Sequence, residues 1–282
     1  MIKRKQRNNQ QLNRQPFWQA DKPYMKRQDI TDSRFRTLGY SMAFSAGAIN
    51  AGGFFAVSSY TSHVTGTLSR VSDAILHGEW VMAFTAIMSV VMFVLGAAHA
   101  SWIILWAKRR RFRASYALSM WAEAFYLLFF GFFGYALSEW GWLMVSPTIL
   151  FLCFIMGMHN TTMAVLSGSA IRSTHMTGSA TDLGIELGKV LYYSRVHHSK
   201  IPDVEVNYPR IKLFVGLMSS FVLGGMVGVW GYNSIGYHFT LPVSTILFVF
   251  GAGSVGYDIR LRNKLRLWHQ ENRFNKKINQ NK

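Results

Sequence analysis

Ser62-His63-Val64-Thr65-Gly66 and Thr174-His175-Met176-Thr177-Gly178 are two copies of one motif: a small hydroxyl residue, His, an apolar residue, Thr and Gly. Upstream of each stands a second echo, Gly47-Ala48-Ile49-Asn50 and Gly157-Met158-His159-Asn160, with two extra residues between Asn and His in the second copy. The chain is therefore duplicated at a spacing of about 110 residues. Units of this size, each carrying apolar segments around a polar, glycine-containing break, are a pattern of secondary transporters, in which the breaks line a central site.

Half of the 282 residues are hydrophobic, yet 30 Lys and Arg stand against 13 Asp and Glu. In a soluble protein that balance points to nucleic acid; in a membrane protein it collects on cytoplasmic loops. Six apolar runs, near the ~20 residues needed to cross a hydrocarbon core of ~30 Å, occur at 38–57, 81–107, 115–137, 147–169, 212–232 and 241–257. Ten Lys and Arg lie in 1–36, five in 108–113, six in 171–212 and eight in 260–282, which leaves Arg70 outside every cluster. With a cytoplasmic N-terminus and six crossings, all four clusters fall on the cytoplasmic side, as the positive-inside rule asks. The basic balance is thus topology, and nucleic acid is not an expected partner.

The expected fold class is all-α: a polytopic helical membrane protein of six transmembrane helices in two inverted three-helix repeats, with an amphipathic or re-entrant helix after each repeated motif. Three spans per unit is an odd number, so the second unit inserts upside down relative to the first. Residues 1–36 form a basic, disordered cytoplasmic arm in this reading, 37–260 the membrane domain (repeat one 37–140, repeat two 146–260) and 261–282 a basic cytoplasmic tail. Some 36 polar and basic residues before the first apolar run do not resemble a cleavable signal peptide. The single cysteine, Cys153, excludes an intrachain disulfide.

The motif residues are hydrogen-bonding groups set where a helix breaks. His63 and His175 can donate, accept or carry a proton near neutral pH; Thr65 and Thr177 can cap the following helix or meet a ligand; Gly66 and Gly178 let backbone approach closely. Asn50 and Asn160, inside spans, must find partners within the protein. Glu123 is the only acidic residue well inside a span, and a carboxylate there costs roughly 3 kcal/mol on insertion scales, so it faces a partner or a wet cavity, or else reaches from near the span's cytoplasmic start toward the interface. Asn50, His63, Thr65, Gly66, Glu123, Asn160, His175, Thr177 and Gly178 are the candidate substrate-binding residues. His99 reads as a packing histidine, and the pair His197-His198 lacks further ligands at metal-binding spacing.

At these motifs the chain resembles the YoaK-like family of bacterial inner-membrane proteins, which carry a domain of unknown function. The family pattern has Gly-x-x-Asp-Ala and a Met-Thr-Gly-Asn-like loop in the first half, then Gly-x-x-Asn and Thr-x-x-Thr-Gly in the second. Here Gly47-Ala48-Ile49-Asn50-Ala51 and Val64-Thr65-Gly66-Thr67 match the first, and Gly157 to Asn160 with Thr174 to Gly178 the second. The likeness spans roughly residues 36 to 260. Asn50 stands where the pattern has an acid, and Thr67 where it has Asn. If that acid is a proton or cation site in relatives, the resemblance implies that this chain lacks the coupling or that Glu123 serves instead.

The reading that follows is a multi-pass protein of the bacterial inner (cytoplasmic) membrane, both termini cytoplasmic, acting as a small-solute transporter or permease with a midplane site at the repeat interface. A small polar or anionic solute is the expected ligand, since a helix N-terminus favours an anion. Anionic lipid at the basic tails is a second candidate partner, and a homo-oligomer stays open. The alternative is a non-transporting membrane sensor or accessory subunit acting through its tails. No Ser-His-Asp order, zinc helix motif or nucleotide loop is present, so neither an enzyme nor a cofactor or metal site is expected.

Overall fold

The computed structural model describes residues 33–57, 60–110, 112, 115–139, 146–167, 174, 176–193 and 206–252. Almost all of the basic arm, the C-terminal tail, His175 and the His197-His198 loop lie outside the described residues. Within them the chain is all-helical, with no strand. Helix α1 is Ser33–Val57, α2 Val64–Leu76, α3 Trp80–Arg109, α4 Ser115–Glu139, α5 Pro147–Leu166, α6 Met176–Tyr193 and α7 Tyr208–Ile235. A 3-10 turn, Gly236–Phe239, leads into α8, helical over the described residues 240–252.

Four stretches are long and apolar enough to cross a membrane: Trp80–Arg109, Ser115–Ala136, Pro147–Val165 and the 45 residues Tyr208–Ala252. The chain is a helical membrane protein. Forty-five residues of unbroken helix would run about 68 Å at 1.5 Å per residue, over twice the core thickness, and the chain instead turns at Gly236, whose φ of 59° suits glycine. Helix α1 falls outside the four because Gly, Ser and Asn dilute it. Its Met42, Ala43, Ser45, Ala46, Ala48 and Ile49 are almost wholly enclosed by other helices, so it has less need of a lipid-compatible surface. Helices differ in the same sense: 61% of the apolar window of α5 is buried but only 22% of that of α3.

Helix directions follow from contacting pairs. Gly39 meets Met163 and Met42 meets His159, so α1 and α5 are antiparallel. Ser119 bonds Thr162 and Glu123 bonds His159, so α4 and α5 are antiparallel too. Gly216 lies on Tyr40 and Gly228 on Ala48, which makes α7 parallel to α1; Ser89 lies beside Cys153 and Ala97 beside Gly157, which makes α3 parallel to α5. Thr240 bonds the Leu127 carbonyl, Ser244 the Ala124 carbonyl, and Phe248 stacks on Trp121, so α8 runs against α4. Helices α1, α4 and α7 thus run one way and α3, α5 and α8 the other.

The α1–α7 and α3–α5 crossings are copies of each other. A Cβ on Gly47 would strike the Phe221 carbonyl oxygen and the Gly225 nitrogen; one on Gly157 would strike the Phe93 carbonyl oxygen and the Ala97 nitrogen. From the other side, Gly224 sits on the Phe44 carbonyl and Gly96 on the Phe154 carbonyl. Small residues that admit backbone to backbone are how helices gain contact where lipid supplies no hydrophobic drive between them. The amphipathic helices follow the same plan, α2 packing on α3 and α6 on α7. Glu186 of α6 holds the start of α7, accepting from Lys189 Nζ at 2.9 Å and from the Asn207 amide at 3.2 Å, with Arg210 at 3.7 Å. The Lys189 hydrogen bond, ahead of that amide and the two cationic charges, keeps this carboxyl below its ordinary pKa.

Because backbone rather than a flexible side chain opposes any substituent, Gly157→Val should cost about 1–3 kcal/mol through overpacking. Gly184→Ala, on an α6 face with nothing within 4 Å, should gain about 0.5–1 kcal/mol from helix propensity. Thermal unfolding of the two variants in detergent, against the parent, checks the opposite signs.

Candidate functional site

Each repeat builds one pin. Asn50, near the end of α1, turns its Oδ1 to the motif loop and accepts from the Ser62 amide (3.1 Å), the Ser62 hydroxyl (3.1 Å) and the Thr61 hydroxyl (3.4 Å). Asn160, in α5, accepts on Oδ1 from the Thr174 amide (3.3 Å) and hydroxyl (2.6 Å), while its Nδ2 donates to the Met156 carbonyl. Ser62 and Thr174 are the first residues of the two motif copies, so one arrangement occurs twice. The amide is a fixed acceptor that satisfies an N–H and a hydroxyl where the chain leaves its helix, groups that would otherwise stay unpaired.

The rest of the motif starts the next helix rather than closing on the bundle centre. His63 precedes α2 and makes no side-chain cap; its carbonyl accepts from the Thr67 amide and hydroxyl, and its ring lies over Gly66, where a Cβ would collide with it. Thr65 and Thr177 lie inside α2 and α6 and are exposed, so Thr65 does not fill the capping role that its position suggested. Their carbonyls instead accept from Ser69 and Thr181, again a matched pair. Gly178 is in the first turn of α6. The structure therefore brings Asn50 and Asn160 to their own loops, and places His63, Thr65 and Thr177 at helix starts.

Glu123 has a different setting. It is fully buried in α4, with Oε1 at 2.6 Å from Nδ1 of the equally buried His159 in α5. His159 Nε2 lies 2.9 Å from the Met42 carbonyl of α1. A carbonyl only accepts, so Nε2 carries a hydrogen and donates it. One further proton then sits between Nδ1 and Oε1, as imidazolium with carboxylate or as imidazole with carboxylic acid. Both forms are neutral overall, which avoids the large cost of an isolated charge in an apolar interior. Glu123 Oε2 has no hydrogen-bond partner among the described residues.

The pair is the middle rung of a polar ladder on one face of α4. Thr162 gives its hydrogen to the Met158 carbonyl, so Ser119 donates to Thr162 across a buried 2.8 Å contact. On the other side, Tyr126 bonds His99 Nε2 of α3 at 3.1 Å. Residues 119, 123 and 126 are spaced i, i+4, i+7, one stripe of a helix. His159 was visible only as a member of the Gly157–Asn160 echo; the signal for its role was Glu123 itself, which in a span needs a partner. Among the described residues no three His, Cys, Asp or Glu converge as metal ligands.

Residues 38–253 match the family described as protein of unknown function, DUF1275. The chain belongs to the DUF1275 family. The match covers both Asn pins, both Gly crossings and the polar ladder, so these are features of the DUF1275 part of the molecule, and it agrees with the YoaK-like resemblance of the motifs. No curated protein and no solved structure matches the chain.

Replacing the Asn50 acceptor tests the pin. Asn50→Asp keeps Oδ1 and should preserve folding, whereas Asn50→Leu leaves the Ser62 amide unpaired and should cost about 1–3 kcal/mol. Limited proteolysis between α1 and α2, compared with thermal stability, will show the leucine variant cut faster and the aspartate variant like the parent.

Proposed function

We propose that the protein is a carrier of small polar or anionic solutes in the bacterial inner (cytoplasmic) membrane, with six spans in two inverted repeats and both termini cytoplasmic. The observation that carries this reading is the pair of matched crossings and matched pins, made once by α1 with α7 and once by the oppositely directed α5 with α3. Repeats related in this way suit alternating access, because one arrangement closed on the outer side has a counterpart that closes on the inner side. The α1 and α5 pins then flank a midplane region, with His63 and Thr65 at the outer mouth and Thr177 at the inner one.

The Glu123–His159 pair gives such a carrier a place to take and release one proton. A buried ionisable pair within membrane helices is a functional site by default, since insertion penalises it and a hydrophobic pair would pack as well. In this reading Glu123 stands in for the acid that the YoaK-like pattern has at position 50, and solute passage changes the protonation of the pair.

Proteoliposomes of the full chain with an internal pH dye test the reading. A panel of small carboxylates applied outside should drive proton movement in the parent. Glu123→Gln and His159→Gln, which keep shape and hydrogen-bonding capacity, should lose the solute-dependent component at least about tenfold, in line with loss of a proton-transfer group. Equal flux in parent and folded variants, or none in the parent with any solute, contradicts the proposal.

A further inference from the structure

We infer that a cavity between α2, α3 and α5 is the outer receiving site for a small hydroxy-carboxylate, with Arg70 meeting the carboxylate. The inference rests on the carrier reading and names its class of solute. The cavity has a volume of about 140 Å³, and Tyr60, Thr67, Arg70, Thr85, Ser89 and Cys153 are among its walls. That is close to the ~150 Å³ that holds a benzene molecule, so a solute of about six heavy atoms fits.

Two features set the chemistry. Arg70 is the one Lys or Arg of 30 outside the four cytoplasmic clusters, a placement that the positive-inside rule disfavours; a guanidinium in a cavity wall matches a carboxylate in charge and geometry. The Thr and Ser hydroxyls of the wall have their hydrogens engaged: Thr67 donates to the His63 carbonyl, Thr85 to the Val81 carbonyl and Ser89 to the Thr85 carbonyl. They offer the cavity lone pairs and ask for a donor on the ligand. No carboxylate is among the lining residues, so that donor is a hydroxyl rather than an ammonium group. A carboxylate with a hydroxyl beside it satisfies both walls.

Cys153, the only thiol of the chain, lines the cavity and reports on it. In the full chain in detergent, a negatively charged methanethiosulfonate should label Cys153 about tenfold faster than a positively charged one of similar size, the lower end of what a focused local potential achieves. Arg70→Gln should bring the ratio near one and Arg70→Lys should keep it, which separates lost charge from lost folding. Sodium lactate should slow labelling, sodium propionate should do so several-fold less well, and lactamide should not. Thr85→Val should remove the advantage of lactate over propionate. A ratio that ignores Arg70, protection by lactamide equal to that by lactate, or no labelling by either reagent overturns the site. So does protection seen only with phosphatidylglycerol nanodiscs and never with lactate, which would assign the cavity to a lipid headgroup. The readout is binding, so its failure beside intact Glu123-dependent proton flux leaves the carrier reading standing.

Discussion

At Gly47 and Gly157 two pairs of helices come so close that a single added methyl group would strike the neighbouring backbone. Inside a bilayer the lipid tails are as apolar as the side chains, so helix association depends on dispersion contacts at such approaches rather than on the expulsion of water. The rest of the bundle is arranged around these two crossings. They fix α1 against α7 and α3 against α5. The amphipathic helix α2 packs onto α3 and α6 onto α7, and the remaining helices, α4 and α8, pack against each other in antiparallel sense. Because each crossing is built from equivalent residues, Phe44, Gly47, Phe221 and Gly224 in one and Phe154, Gly157, Phe93 and Gly96 in the other, the geometry of one half is a constraint on the other.

The symmetry is broken where the chemistry is concentrated. The residue in α1 that corresponds to His159 is Ile49, which is fully buried in the hydrophobic core. One repeat therefore contributes an apolar wall, and the other a histidine that reaches both the α1 backbone and the α4 carboxylate. Each polar group of the ladder is answered from a different helix, so the ladder ties α1, α3, α4 and α5 together. A shift of any of these helices breaks a buried hydrogen bond, at about 1–3 kcal/mol for each group left unpaired. Glu123 Oε2 is the point at which this satisfaction stops, and it is also where a change of protonation would be felt by three helices together.

The all-helical, membrane-spanning character was legible because it depends on composition and on local order. The Asn residues were legible as groups needing partners, though not as pins for Ser62 and Thr174, since the loop between them has no periodicity to read. Two signals carried more than the motif reading drew from them. Phe-x-x-Gly occurs at Phe44, Phe93, Phe154, Phe221, Phe248 and Phe250, and the first four copies each supply a carbonyl and a glycine to a crossing. Ser119, Glu123 and Tyr126 share one helical stripe, which marks an inward polar face. The partners of that stripe lie on α3 and α5, and nothing local announces which residue of a distant helix will face Glu123. The same limit hid the cavity beside Arg70, which exists only once α2 packs on α3.

The central claim is that the two halves are inverted copies in the membrane, and Ser69 with Thr181 offers the most direct test. These exposed residues occupy equivalent places, each donating its hydroxyl to the carbonyl of a motif threonine four residues earlier. In a Cys153→Ser background, single cysteines at these two positions of the full chain can be probed in intact cells with a membrane-impermeant thiol reagent, and again after permeabilisation. The account predicts that position 69 is labelled from outside, and position 181 only once the membrane is opened. Labelling of both from the same side would contradict it.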